Sequence, residues 1–324
     1  MAHLARDFQL GILFRRDVPP ERLRGAAREA EAAGFDELWI VEDCFYAGGI
    51  ASVATALADT AAIRVGLGIT PAVARNLAFA AMDIAALARL HPGRFLPGIG
   101  HGVADWMRQI GALPASPLTA IEEIVSAIRA LLHGEQVDFQ GQYVQLDRVQ
   151  LEYPPDVVPP VSLGVRGPKS LALAGRIADG TLLAEASAPA YVTWARQQIA
   201  HTPHRLTVYA LCRFDDDPQA ARDALRPWIA TYISRERVRS QLEPLGIESQ
   251  IQALLAEGGE QHVLHAMPDE WIDQLAVVGT PADCARSLRR LAAAGADSIV
   301  LVPPSADVQE TWTHQAAEAI LPLL

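Results

Sequence analysis

A chain of 324 residues suits either one large barrel or two ordinary domains. Half of its residues are hydrophobic, which supplies ample core and argues against disorder. The formal net charge of −11 leaves no basic field for nucleic-acid phosphates, although local amides and arginines can still hold a small anion. In chain order, residues 8–14 (FQLGILF) predict a buried strand, followed by two prolines and a helix that Gly34 ends. Residues 37–41 (ELWIV), 63–69 (IRVGLGI) and 94–99 (RFLPGI) predict strands two to four, with helices over 50–60 and 76–90 between them. Helices over 103–110 and 118–132 follow. Residues 135–160 break the rhythm, and VDFQGQYV at 137–144 has the alternation and turn residues of a hairpin. Strands five to seven are predicted at 161–165, 181–184 and 205–211. Residues 234–268 are polar and irregularly helical; a helix over 281–294, an eighth strand at 298–302 and a closing helix complete the pattern.

Apolar runs of this continuity suit a parallel sheet covered on both faces, and eight of them favour a closed (β/α)8 barrel over an open sheet. The expectation is one barrel domain over residues 1–324, with insertions after strand four (135–160) and strand seven (234–268). No strand leads into a GxGxxG turn; Gly98-Ile-Gly-His-Gly102 has the wrong spacing. The three cysteines, Cys44, Cys212 and Cys284, show no CxxC spacing, and the first residues hold no long apolar run. Reduced thiols, a cytoplasmic location and no membrane span are therefore expected.

Function in such a barrel lies where strands end. Strand three ends in Gly66-Leu-Gly68-Ile69-Thr70, where glycines mark either a bulge against a ligand or a simple turn. Strand four ends in Gly100-His101-Gly102, which can present a ring and amides to a ligand edge or place an ordinary satisfied histidine. Strand five ends in Gly164-Val165-Arg166-Gly167-Pro168-Lys169-Ser170, which includes the only lysine of the chain. Proline in a first helical turn, free amides and two cations fit a phosphate cradle; an ordinary βα turn is the alternative. Glu42 and Asp43 after strand two, His101, and Glu185 after strand six are the candidates for proton transfer, with solvated carboxylates as the bland reading. There is no HExxH, dense His/Asp cluster or GxSxG, so neither a metal nor a serine nucleophile is expected.

Taken together, GFDELWI at 34–40, VGLGIT at 65–70, GIGHGVADW at 98–106, GVRGPKS at 164–170, VGTP at 278–281 and AGAD at 294–297 resemble the luciferase-like flavin monooxygenase superfamily, particularly its F420-dependent branch. The resemblance runs over essentially the whole chain. It implies a cis peptide at Gly68-Ile69 backing the cofactor ring, with Gly100-His101-Gly102 and the turn from Val165 to Ser170 taking the ribityl chain and phosphate. Many relatives carry an Asp-His pair after strand two; here Asp43 is followed by Cys44, so no histidine acid is implied there. The implied activity is hydride transfer between coenzyme F420 and a small organic substrate, in a possible homodimer. FMN-dependent monooxygenation and a non-catalytic ligand-binding barrel are the alternatives.

Overall fold

The computed structural model describes residues 6–324. Its strands are β1 (Gln9–Phe14), β2 (Glu37–Ile40), β3 (Arg64–Pro71), β4 (Phe95–Gly100), β5 (Val137–Gln140), β6 (Gln145–Val149), β7 (Ser162–Gly164), β8 (Gly180–Leu183), β9 (Arg205–Phe214), β10 (Val277–Gly279) and β11 (Ser298–Val302). Parallel pairing runs β11–β1–β2–β3–β4–β7–β8–β9, and β9 pairs with β11, which closes an eight-stranded barrel. β5 and β6 form a separate antiparallel hairpin within the predicted insertion after strand four. β10 adds to the last three residues of β9. Its apolar residues run straight on from helix Asp269–Leu275 with no turn residue between them, so this strand was not expected from sequence.

Alternation along the strands explains the two cores. Leu10, Ile12, Val208, Ala210, Ile299 and Leu301 pack outward under the helices. Leu13, Tyr209, Leu211, Val300 and Val302 point inward and belong to the other cluster, which includes Trp39 and continues from the barrel interior into the helices after β9. Trp39 occupies so much of that interior that a Cβ on Gly66 would lie 2.3 Å from its ring. Glycine at 66 is therefore a packing requirement.

Towards the N-terminal ends of the strands sits one fully buried carboxylate, Glu37. It accepts hydrogen bonds from Trp39 Nε1 and Ser298 Oγ, each at 2.8 Å, and pairs with Arg64 at 2.9 Å and with Arg205. A buried charge persists when its lone pairs are satisfied in this way. The network ties four strands together below the cavity.

After β9, helix Pro218–Ile233 leads into residues 234–268, which hold a short turn at Glu236–Val238, helix Arg239–Leu242 and helix Glu248–Ala266 broken at Gly258 and Gly259. These segments cover part of the C-terminal mouth of the barrel. Among the described residues, no helix is long and apolar enough to cross a membrane.

Candidate active site

The C-terminal ends of the barrel strands surround an open cleft of about 940 Å³. Leu13, Leu182, Leu211 and Val302 give it an apolar floor, and the backbone at Gly68 and Ile69 forms part of its wall. Here β3 carries one extra residue relative to β4: Leu67 faces Pro97, whereas Thr70 faces Ile99. Such a bulge bends a strand and re-aims its backbone. The Gly68–Ile69 peptide is cis, as is Cys44–Phe45. A Cβ on Gly68 would stand 2.0 Å from Tyr209 Oη, so only glycine fits. The Tyr209 hydroxyl donates to the Gly68 carbonyl at 3.3 Å, and its ring meets Trp39 edge-on with centroids 5.8 Å apart. Burial raises the Tyr209 pKa well above its ordinary value, so this group is a fixed donor.

Asp43 lines the cleft and pairs with Arg16, a residue from the end of β1. The Arg16 guanidinium also lies 5.2 Å from the Tyr46 ring centre and 5.8 Å from that of Trp106. Sequence reasoning passed over Arg16, although its position just past a strand end was the available signal.

Glu42, the neighbouring candidate, is placed differently. Its carboxylate accepts from Thr70 Oγ1 and Arg75 Nη1 at 2.6 Å and from the Gly49 amide at 2.8 Å. Burial pushes its pKa up, but the bonds from Arg75, Thr70 and Gly49 outweigh burial and the net displacement is downward. A carboxylate held ionised by three donors anchors the bulge and has no proton to deliver.

His101 does not line the cleft either. Burial lowers its pKa, only partly offset by the Pro117 carbonyl that its ring faces. It is a neutral imidazole packed behind the loop, while Val103, Asp105 and Trp106 of the same loop reach the cleft.

Glu185 does line the cleft. The mouth leaves it partly accessible, but protein encloses its remaining sides. Loss of hydration raises its carboxyl pKa; Arg166 and Arg16 act against that rise and Asp43 adds to it. Of the proposed proton carriers, Asp43 and Glu185 are thus brought together at the cavity, and Glu42 and His101 stand behind it.

The turn after β7 places Gly164, Val165 and Arg166 on the cleft wall. Gly167 is the N-cap of helix Pro168–Ile177, no side chain caps that helix, and a Cβ at 167 would meet nothing within 4 Å. The helix therefore starts without a side-chain acceptor for its first-turn amides, directly after the turn that carries Arg166. This is the geometry of an anion seat. Lys169 itself is exposed.

One contributor was invisible from sequence. Gln241, fully buried in helix Arg239–Leu242, donates to the Glu185 carbonyl at 3.1 Å and to Ser187 Oγ at 3.3 Å. It accepts from Tyr232 Oη at 3.2 Å and from Arg166 Nη1 at 3.4 Å. Nothing in the sequence distinguishes this glutamine from its polar neighbours. The described residues contain no cluster of three or more His, Cys, Asp or Glu able to hold a metal ion.

A family model described as luciferase-like monooxygenase matches residues 8–298. The chain is 31% identical over 309 residues to a 5,10-methylenetetrahydromethanopterin reductase of Methanolobus tindarius, spanning 91% of this chain and 94% of the relative. It is 27% identical over 280 residues to an F420-dependent glucose-6-phosphate dehydrogenase of Nakamurella multipartita, spanning 79% and 82% respectively. Its fold is like that of the coenzyme F420 dependent tetrahydromethanopterin reductase from Methanopyrus kandleri, with a TM-score of 0.82 at 23% identity and coverage of 98% and 99%.

Proposed function

The chain belongs to the luciferase-like monooxygenase family, and within it we propose an F420-dependent oxidoreductase acting on a small organic molecule, with a methylene-bridged tetrahydropterin as the substrate class. The observation that carries this reading is a cleft that sets Arg166, the residue leading into an uncapped helix start, against an apolar floor rising to the Gly68–Ile69 bulge. The first suits the phosphate of a nucleotide-like cofactor, and the second suits the face of a flat ring. The reductase and dehydrogenase names of the relatives support the deazaflavin over FMN.

The residues present fit the cofactor. Arg166 and the amides of Lys169 and Ser170 would hold its phosphate, and Gly68, Ile69 and Thr70 would back its ring, with Gly100 to Gly102 beside them. When bound, reduced F420 supplies a hydride. Reduction of a methylene bridge between two nitrogens also needs a proton at the nitrogen released. Glu185 is our candidate for that proton, because desolvation keeps its carboxyl protonated to higher pH than an ordinary glutamate. Asp43, neutralised by Arg16, orients polar groups of the substrate. The apolar floor and the segment after β9 exclude water.

We also assign the protein to the cytoplasm, supported by its three unpaired cysteines, and to a homodimer. Phe79 and Met82, 65% and 53% exposed on helix Leu77–Leu90, form the apolar face that supports a dimer. The direct test is titration of the purified protein with F420 and with FMN, followed by tryptophan quenching. Micromolar or tighter F420 binding with weak FMN binding is expected, and the opposite preference would overturn the assignment.

A further inference from the structure

Two groups assigned to this cleft, Arg166 and Glu185, come from different strand ends, and among the described residues neither has a charged partner within hydrogen-bonding distance. Arg166 follows β7 and Glu185 follows β8. The side chain that reaches both turns is the Gln241 amide, delivered from the segment after β9. Its oxygen accepts from Arg166 Nη1 and Tyr232 Oη, and its nitrogen donates to the Glu185 carbonyl and Ser187 Oγ. The adjacent Ser240 hydroxyl donates to the Arg166 carbonyl at 3.4 Å, and Tyr191 Oη donates to the same carbonyl at 2.7 Å. An amide used at all its sites, at zero exposure, has no freedom to rotate.

We infer that Gln241 is a positioning residue for the reaction: its single amide sets the Arg166 guanidinium that grips the cofactor's anion and fixes the turn carrying Glu185. Its position on the segment after β9 means that docking of this segment assembles both halves of the site at once. The inference rests on the F420 reading for the identity of the anion, though not for its charge. Tyr232, the fourth partner, stacks on Trp228 with ring centres 4.6 Å apart, so the helix bearing both aromatic residues is locked to the same amide.

Two substitutions separate positioning from simple support of the fold. Gln241→Met keeps the volume and removes every hydrogen bond. It should weaken F420 binding about 10-fold, the loss expected for one hydrogen bond to a charged group, and weaken inorganic phosphate, titrated by calorimetry without cofactor, by a similar factor. Gln241→Glu keeps the oxygens facing Arg166 and Tyr232 but withdraws both donors and adds a negative charge close to Glu185. The charged and titratable groups already facing Glu185 are Arg16, Asp43, Arg166, Tyr209, Tyr232 and Arg237. One more carboxylate among them should move the alkaline limb of the pH–rate profile to higher pH. A merely structural glutamine would lower the melting midpoint and leave the ligand affinities of the folded fraction and the pH limb unchanged.

If Gln241→Met fails to fold, Tyr232→Phe and Ser187→Ala each remove one partner of the amide and should produce smaller losses of phosphate affinity in the same direction. Failure of the native chain to bind F420 while it binds phosphate would remove the cofactor reading and leave the positioning role to be read from phosphate alone. The inference is overturned if the native chain binds neither ligand, or if folded variants match it in both affinity and pH profile.

Discussion

The hydroxyl of Tyr209 stands 3.3 Å from the carbonyl of Gly68, so a side chain of β9 holds the backbone of β3 from the opposite side of the barrel. The same hydroxyl fills the space where a Cβ at position 68 would lie. The bulge is thus supported from beneath by a phenol that burial keeps protonated.

Tyr209→Phe removes that donor without changing the packing against Trp39. The cost to folding should be about 1 kcal/mol, typical of one neutral hydrogen bond. Affinity for F420 should fall about fivefold, because the wall that backs the ring is loosened. Chemical denaturation and quenching titration measure the two effects separately.

Glu185→Gln tests the proton donor. The native carboxyl has a raised pKa from desolvation, so its protonated form persists into a higher pH range and the rate should fall as pH rises through that value. The amide cannot titrate. Turnover should drop about 100-fold, as for loss of a general acid, and the alkaline limb should vanish while F420 binding is retained. A variant with an unchanged pH–rate profile would remove Glu185 from the mechanism.

Arg166→Ala should weaken F420 binding by about 10- to 100-fold, the range for a lost charge-assisted hydrogen bond, with little change in melting midpoint. The native affinity should also fall with added salt more steeply than that of the variant.

Glu42→Gln addresses a carboxylate whose role is architectural. Its folded-state pKa is depressed, so its contribution is present above the ordinary carboxylate range and is lost as pH falls through the folded value. The variant should be less stable by about 1–3 kcal/mol at neutral pH, because Arg75, Thr70 and Gly49 lose an ionised acceptor. The difference should shrink below about pH 4. Denaturation curves at several pH values decide this.

His204 supplies a second acid-sensitive element at the opposite end of the barrel. Its Nε2 meets Thr181 Oγ1 at 2.8 Å, its Nδ1 has no partner among the described residues, and burial lowers its pKa to about 4, with Arg196 acting in the same direction. The unfolded chain binds this proton near pH 6.5 and the folded chain does not until about pH 4. Stability should therefore fall as pH drops through that window and level off below it. The loss is about 2 kcal/mol after allowance for residual solvent screening. His204→Gln should flatten this part of the stability profile.

The barrel was legible because its strands are continuous apolar runs between amphipathic helices; the glycines at 66 and 68 read as a bulge or a turn, and the sequence did not show that they make room for Trp39 and Tyr209. β10 escaped notice because its apolar residues merge with the end of the helix Asp269–Leu275 before it. The site was legible only to the level of strand ends. Position after a strand could not say that Glu42 turns back to Arg75, that the His101 ring faces Pro117, or that Asp43 meets Arg16. Gln241 lay further out of reach, because it acts at the cleft from a segment whose sequence has neither strand nor strong helical pattern.

Hydride transfer with a deazaflavin requires neither dioxygen nor FMN. The most direct test mixes the enzyme anaerobically with reduced F420 and a methylene-bridged tetrahydropterin and follows the return of oxidised F420 absorbance. Oxidation of F420 that requires both enzyme and pterin, yields the methyl product and needs no oxygen is the predicted result. Oxidation that proceeds only with dioxygen and reduced FMN, with no turnover of reduced F420, would contradict it.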